Sequence, residues 1–209
     1  MAGTQKTDTQ KPDTQKLSTQ KHRAVLALGS NLGESEDTLE RAVADLVAGG
    51  VQLVRASGLY RTAPVGGPAG QPDFVNAVIE VTTDLGAYEL LKLCNAVEAA
   101  YHRERLVRWG PRTLDIDVID YDGVISEDPV LTLPHPRAQE RAFVLVPWAQ
   151  MDPQARLTVT HRAEPSGERA DEVPEPLSRE VVSVAELSRT LVEADEDAIS
   201  YMREMKVPD

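Results

Sequence analysis

Val75-Asn76-Ala77-Val78-Ile79-Glu80-Val81 alternates apolar and polar-tolerant positions, and Leu114-Asp115-Ile116-Asp117-Val118 does so again further along. A period of two marks a strand with one face in a core, so both stretches read as half-buried strands. Between them, Leu90, Leu91, Cys94 and Val97 recur at helical spacing and predict an amphipathic helix from Tyr88 to about His102. The same plan appears upstream. Ala24 to Leu28 is an apolar run, and Gly29-Ser30-Asn31-Leu32-Gly33 is a turn. A helix follows with Leu39, Ala42, Val43, Leu46 and Val47 on one stripe, stopped by Gly49-Gly50. Val51 to Thr62 reads as a further strand, and residues 63–72, with Pro64, Gly66, Gly67, Pro68, Gly70 and Pro72, as a loop. Downstream, a short hairpin is expected around Gly123 and a third helix over Ala142 to Met151. Strand-helix-strand, twice, with too few connections for a doubly wound sheet, predicts an α+β fold. The expected architecture is a ferredoxin-like α/β sandwich on an antiparallel sheet.

The segments flanking this core differ in composition. Residues 1–23 repeat Thr-Gln-Lys at 4–6, 9–11, 14–16 and 19–21, with only Met1, Ala2 and Leu17 apolar. Such a stretch buries too little surface to offset its ordering entropy and reads as a disordered tail. Residues 152–209 are acidic, with Pro153, Pro165, Pro174 and Pro176 in their first half. Ser183 with Glu186 then reads as a capping box. Leu187, Leu191, Ala194, Ala198, Met202 and Met205 extend the expected helix over 184–205, which is expected to dock onto the domain or a partner. The division is thus a tail over 1–23, a folded core domain over 24–151, and an acidic C-terminal extension over 152–209.

The 209 residues carry a net charge of -12, which argues against a nucleic-acid partner or an anionic membrane surface. One cysteine excludes an internal disulfide and disfavours a cysteine zinc site. No apolar run approaches a membrane span and no secretory h-region is visible, so a cytoplasmic protein is expected; it is taken separately to be a monomer. Within that acidic total, Arg103, Arg105, Arg108 and Arg112 cluster just upstream of Asp115 and Asp117. Alternation puts the two carboxylates on one strand face while Leu114, Ile116 and Val118 point into the core. Two close carboxylates repel unless a cation lies between them. Oxygen ligands of this kind suit magnesium, which completes its shell with water and substrate phosphates. Trp109-Gly110-Pro111 breaks the preceding helix, so the arginines sit on a loop where guanidinium forks can meet phosphate. Phe74 and Phe143, the two phenylalanines of the chain, are core candidates that can equally clamp a planar heterocycle. Pro134-His135-Pro136 holds a histidine in a stiff segment within reach of a nucleotide.

Arg108-Trp109-Gly110-Pro111-Arg112-Thr113-Leu114-Asp115-Ile116-Asp117 resembles the signature of the 6-hydroxymethyl-7,8-dihydropterin pyrophosphokinase family. Four further segments match in order: residues 27–33, 60–64, 71–77, and 131–136 continuing through Arg141-Ala142-Phe143. The resemblance covers about residues 24–151. It implies the ferredoxin-like fold, ATP as cosubstrate with two magnesium ions, and pyrophosphate transfer to the hydroxymethyl group of the pterin with release of AMP. It also implies roles. Asp115 and Asp117 would hold metal and, with Arg103 and Arg112, carry catalysis. Thr62, Ala63, Phe74, Asn76 and Phe143 would bind the pterin. Asn95, Glu98, Arg105, Arg108, Arg112, Val118, Thr132, His135 and Arg141 would bind ATP. The loops over 63–72 and 103–110 would act as lids. Two other readings compete: a different metal-dependent transferase built on Asp-x-Asp, and a non-catalytic ferredoxin-like binding module. The first does not account for the pterin segments; the net charge and the acidic pair oppose the second.

Overall fold

The computed structural model describes residues 21–64, 68, 70–101, 111–161, 178–195 and 199–208. The first strand-helix-strand unit is β1 (His22–Ser30), α1 (Ser35–Ala48), and β2 (Val51–Ala56) with β3 (Gly58–Thr62). The second is β4 (Phe74–Thr83), α2 (Ala87–Ala100) and β5 (Asp115–Tyr121). Every pairing among these strands is antiparallel, with β1 between β4 and β5, and both β2 and β3 on the far side of β4. This is the expected α+β ferredoxin-like arrangement.

Local chemistry places the boundaries. Gly50 ends α1 with φ 108°, a conformation that costs glycine little. α2 starts where the Glu89 carboxylate accepts the backbone N–H of Gly86 at 2.9 Å. The single strand expected over Val51–Thr62 is instead two. Ser57 interrupts it, exchanging backbone and side-chain hydrogen bonds with Val78, its hydroxyl accepting the Val78 N–H at 2.9 Å. The hairpin also lies later than Gly123, which with Asp122 makes the turn out of β5. The paired strands are β6 (Ser126–Asp128) and β7 (Leu131–Leu133).

One sheet face packs on α1 and α2. Leu39, Ala42, Val43 and Leu46 from α1 and Leu90 and Cys94 from α2 are fully buried against Leu26, Ile79 and their neighbours. Each such leucine contributes about 1.5–3 kcal/mol of burial. The Cys94 thiol, desolvated there and beside Glu98, is pushed up to about 12. The other face carries Val25, Val78 and Ile119 under α3 (Ala142–Met151), with Trp148 fully buried between them.

The C-terminal segment departs from expectation. Its helix, α4 (Val184–Ala194), begins on Ser183 as predicted, the Ser183 hydroxyl accepting from the Glu186 N–H at 3.3 Å. It stops at Asp195 rather than continuing to 205. Ser200–Glu204 is a strand, β10, paired antiparallel with β3 as the sheet's outer edge. Asp195, where the helix stops, puts a negative charge at the negative C-terminal end of the helix dipole, and residues 200–204 pair instead with β3. Arg203 fixes the strand to α1, bonding Glu36 at 2.7 Å and Glu40 at 2.6 Å. Ahead of α4, β8 (Arg156–His161) and β9 (Ser178–Ser183) form a hairpin, and Ala155, Leu157 and Val159 join the core under α3. The segment expected as an appendage therefore completes both the sheet and the second core. Of the Thr-Gln-Lys repeat, only Lys21 lies within the described residues.

Candidate active site

The two cross-strand registers of β1 organise the site. Gly29 pairs with Asn76 of β4 on one side and with Asp115 of β5 on the other, and Ala27 pairs with Asp117. Directly opposed residues share a face, and neighbouring strands lie about 4.8 Å apart. Asn76 and Asp115 thus flank Gly29 at one level, on the α3 side of the sheet. Beyond the end of α3 that face is uncovered, and a cavity of about 480 Å³ opens on it.

The β4 side of the cavity is apolar with one amide. Phe74, Ala63 and Pro64 line it, with Phe143 supplied by the first turn of α3. Asn76 is buried, and its amide nitrogen donates to the Thr62 hydroxyl at 2.9 Å. A Cβ at Gly29 would lie 3.2 Å from the Asn76 amide oxygen, so glycine lets this side chain sit against β1. The β5 side is ionic. The Arg112 guanidinium is ion-paired with Asp115, and Arg141 bonds Asp117 at 2.9 Å while lying over the Phe143 ring at 5.4 Å. His135 Nε2 stands 3.9 Å from the Asp117 carboxylate. Its Nδ1 accepts the Arg137 N–H, which leaves the proton on Nε2. Burial, joined by the Arg141 and Arg137 charges and opposed by Asp117, lowers the His135 pKa, so the imidazole is neutral at pH 7.

The sequence-predicted residues divide as follows. Thr62, Ala63, Phe74, Asn76, Phe143, Arg112, Arg141, Asp115 and Asp117 all line the one cavity. Glu98 does not face it. The side chain is buried beneath β5, where its carboxylate accepts the Ile116 N–H at 2.7 Å. It acts as a strut between the two aspartates. Val118 is a core residue, 4% exposed, because it alternates with Asp117 and so faces the helices; its side chain does not line the cavity. Asn95 is exposed on α2, and Thr132, whose hydroxyl donates to the Asp128 carbonyl, stands on β7; neither lines the cavity. Arg103, Arg105 and Arg108 fall outside the described residues, as do the whole expected lid over 103–110 and residues 65–67 and 69 of the other.

Sequence reasoning assigned no role to Asn31. It is buried just after β1, with its side-chain Oδ1 accepting the Arg112 N–H at 2.8 Å and its side-chain Nδ2 donating to the Pro72 carbonyl at 3.0 Å. It therefore ties the Arg112 segment to the end of the 63–72 loop. An asparagine between turn residues reads as local turn chemistry, and only the fold brings Arg112 and Pro72 to it. Leu191, Ala194 and Asp195 were likewise read as helix only, yet all three line the cavity.

Comparison with known proteins agrees with this geometry. A 2-amino-4-hydroxy-6-hydroxymethyldihydropteridine pyrophosphokinase of Methylorubrum extorquens is 46% identical over 132 residues, covering 63% of this chain and 83% of that protein. Proteins of the same name from Bacillus subtilis and Synechocystis are 41% and 43% identical over 138 and 133 residues. These matches span 66% and 63% of this chain and 82% and 67% of theirs. Among solved structures, Plasmodium falciparum HPPK-DHPS with pteroate matches with a TM-score of 0.56 at 14% identity, over 90% of this chain and 50% of that one. That likeness is one of fold; it reaches into the flanking segments, and this chain spans about half the length of the solved one. The model of the family described as 7,8-dihydro-6-hydroxymethylpterin-pyrophosphokinase (HPPK) matches residues 25–153. A chain matched through both halves of its cavity, from Gly29 of β1 to the Phe143 helix, belongs to the 7,8-dihydro-6-hydroxymethylpterin-pyrophosphokinase family.

Proposed function

We propose that this chain transfers pyrophosphate from ATP to the hydroxymethyl group of 6-hydroxymethyl-7,8-dihydropterin, releasing AMP. The observation that carries the reading is the division of one cavity into an apolar, amide-bearing half and an ionic half on either side of Gly29. The pterin fits the first, between the rings of Phe74 and Phe143 with Asn76 at its polar edge. The triphosphate fits the second, where Arg112 and Arg141 can fork onto its oxygens. The hydroxymethyl oxygen then attacks the β-phosphorus and loses its proton, the bond from that phosphorus to the α-phosphate bridging oxygen breaks, and AMP departs. Positioning and electrostatics supply most of the acceleration in such transfers, and neither half needs a covalent nucleophile.

Asp115 and Asp117 are the residues that would hold magnesium. Their donor set suits it: two carboxylates on one strand face in the same cavity as the arginines. Among the described residues no group of three or more acidic, histidine or cysteine side chains could enclose a metal alone. Magnesium takes its remaining ligands from water and phosphate. When bound, it would neutralise charge on the phosphate oxygens, and two ions is the number the family resemblance implies. The two arginines now paired with the aspartates would turn to the phosphates as ATP enters. His135, neutral and protonated on Nε2, can donate to an oxygen beside Asp117. Cytoplasmic action as a monomer is part of the proposal, supported by ATP as cosubstrate and by Cys94 as a free buried thiol. None of the described helices is long and apolar enough to cross a membrane.

Incubation with magnesium, ATP and the pterin tests this reading by product analysis. Pterin-dependent AMP that disappears with EDTA is expected. Formation of ADP in its place, or turnover indifferent to the pterin, would overturn it.

A further inference from the structure

The cavity has a wall that neither half of the proposed chemistry explains. Leu191, Ala194 and Asp195, from the C-terminal end of α4, line it together with Phe143. They lie beyond residue 153, where the family match ends. The wall is held from several directions. Leu187 and Leu191 pack into the core under α3, the helix that presents Phe143, and Val184 donates its N–H to the Ala155 carbonyl at 3.1 Å. After α4 the chain re-emerges in β10, which pairs Ser200 with Arg61 and Tyr201 with Tyr60, next to Thr62 of the cavity. The end of α4 therefore lies between α3, which carries Phe143, and the strand pair of β10 with β3, which carries Thr62.

Its chemistry is selective. Leu191 and Ala194 offer apolar surface, and the small Ala194 leaves room beside it. Asp195 closes the helix, its N–H donating to the Leu191 and Val192 carbonyls at 3.2 Å. A carboxylate at the negative end of a helix dipole makes an electronegative rim. Such a rim repels phosphate and attracts a ring edge rich in N–H donors, which is the character of the aminopyrimidine edge of a pterin.

We propose that the end of α4 forms a specificity wall for the pterin, with Ala194 limiting the bulk admitted and Asp195 favouring its donor-rich edge. This rests on the pyrophosphokinase reading, and the experiment separates the two. Fluorescence titration with 6-hydroxymethylpterin is run on the full chain, its A194W and D195N variants, and E193W as an exposed control on the same helix, with thermal melting of each. A parallel titration uses a non-hydrolysable ATP analogue with magnesium. A194W is expected to weaken pterin binding at least about tenfold and D195N about threefold or more. Analogue binding should change less than twofold, and E193W should match the parent chain. Parent-like pterin affinity in A194W and D195N, or equal losses for pterin and analogue, or the same loss in E193W, would overturn the wall while leaving the pyrophosphokinase reading intact. Failure of the parent chain to bind the pterin would overturn both.

Discussion

Asp115 and Asp117 illustrate how much a period of two determines. Alternation alone puts them on the face opposite Leu114, Ile116 and Val118, and those three are buried while the aspartates reach the cavity. Asp115→Asn and Asp117→Asn keep the shape and remove the charge, so each should lower turnover about 100-fold or more with little change in melting temperature. Near-parent rates in either would deny the pair its role. Glu98 shows the reverse case, a polar residue expected on a nucleotide-facing helix surface that the fold turns inward. Glu98→Ala orphans the buried Ile116 N–H and should cost about 1–3 kcal/mol in urea denaturation, with Glu98→Gln milder because it keeps an acceptor. Equal stability of Glu98→Ala and parent would contradict the strut. His135 carries a pH signature. Its folded-state pKa lies below the ordinary 6.5, so between the two values the unfolded chain binds more protons and stability rises with pH. The protein should lose stability as pH falls through the window just below 6.5. His135→Gln should flatten that slope in a series of denaturation midpoints, and an unchanged slope would contradict it.

Elements were legible where local pattern and tertiary contact agree, as in α1, with four fully buried residues on the stripe its sequence displays. The C-terminal element shows why the agreement can fail. Met202 and Met205 continue a helical spacing from Leu191, but Ser200–Glu204 pairs with β3, and Met205 is buried in the main core. No window of sequence records that partner strand. The run Asp195-Glu196-Asp197 was the available signal that the helix ends early. Gly58 is the test at this scale. A Cβ there would lie 2.5 Å from the Tyr201 ring and 3.0 Å from the Arg203 carbonyl, so a side chain must displace the ring and press on the β10 backbone. Gly58→Ala should lower stability by about 1–3 kcal/mol and speed amide exchange in residues 200–204. Parent-like exchange there would mean the edge strand is not held as described.

Across the whole molecule, the acidic total and the anionic cosubstrate are compatible because charge is distributed unevenly. The net charge of -12 excludes nothing about a cavity in which Arg112 and Arg141 sit against two aspartates. The ferredoxin-like plan was readable from alternation and helical spacing, and so was the shared face of Asp115 and Asp117, whereas Thr62, Ala63, Asn76 and Arg141 were reached only through the family resemblance. The far wall was reached by neither, because it depends on α4 docking against α3 from outside the recognisable core. The central claim is that two halves of one cavity direct attack to the β-phosphorus, and ATP labelled at its β-phosphate tests it most directly. The account predicts that, with magnesium and 6-hydroxymethyl-7,8-dihydropterin, the label moves to the pterin and unlabelled AMP is released. Label retained in ADP, with the pterin unlabelled or carrying only a γ-phosphate, would contradict it.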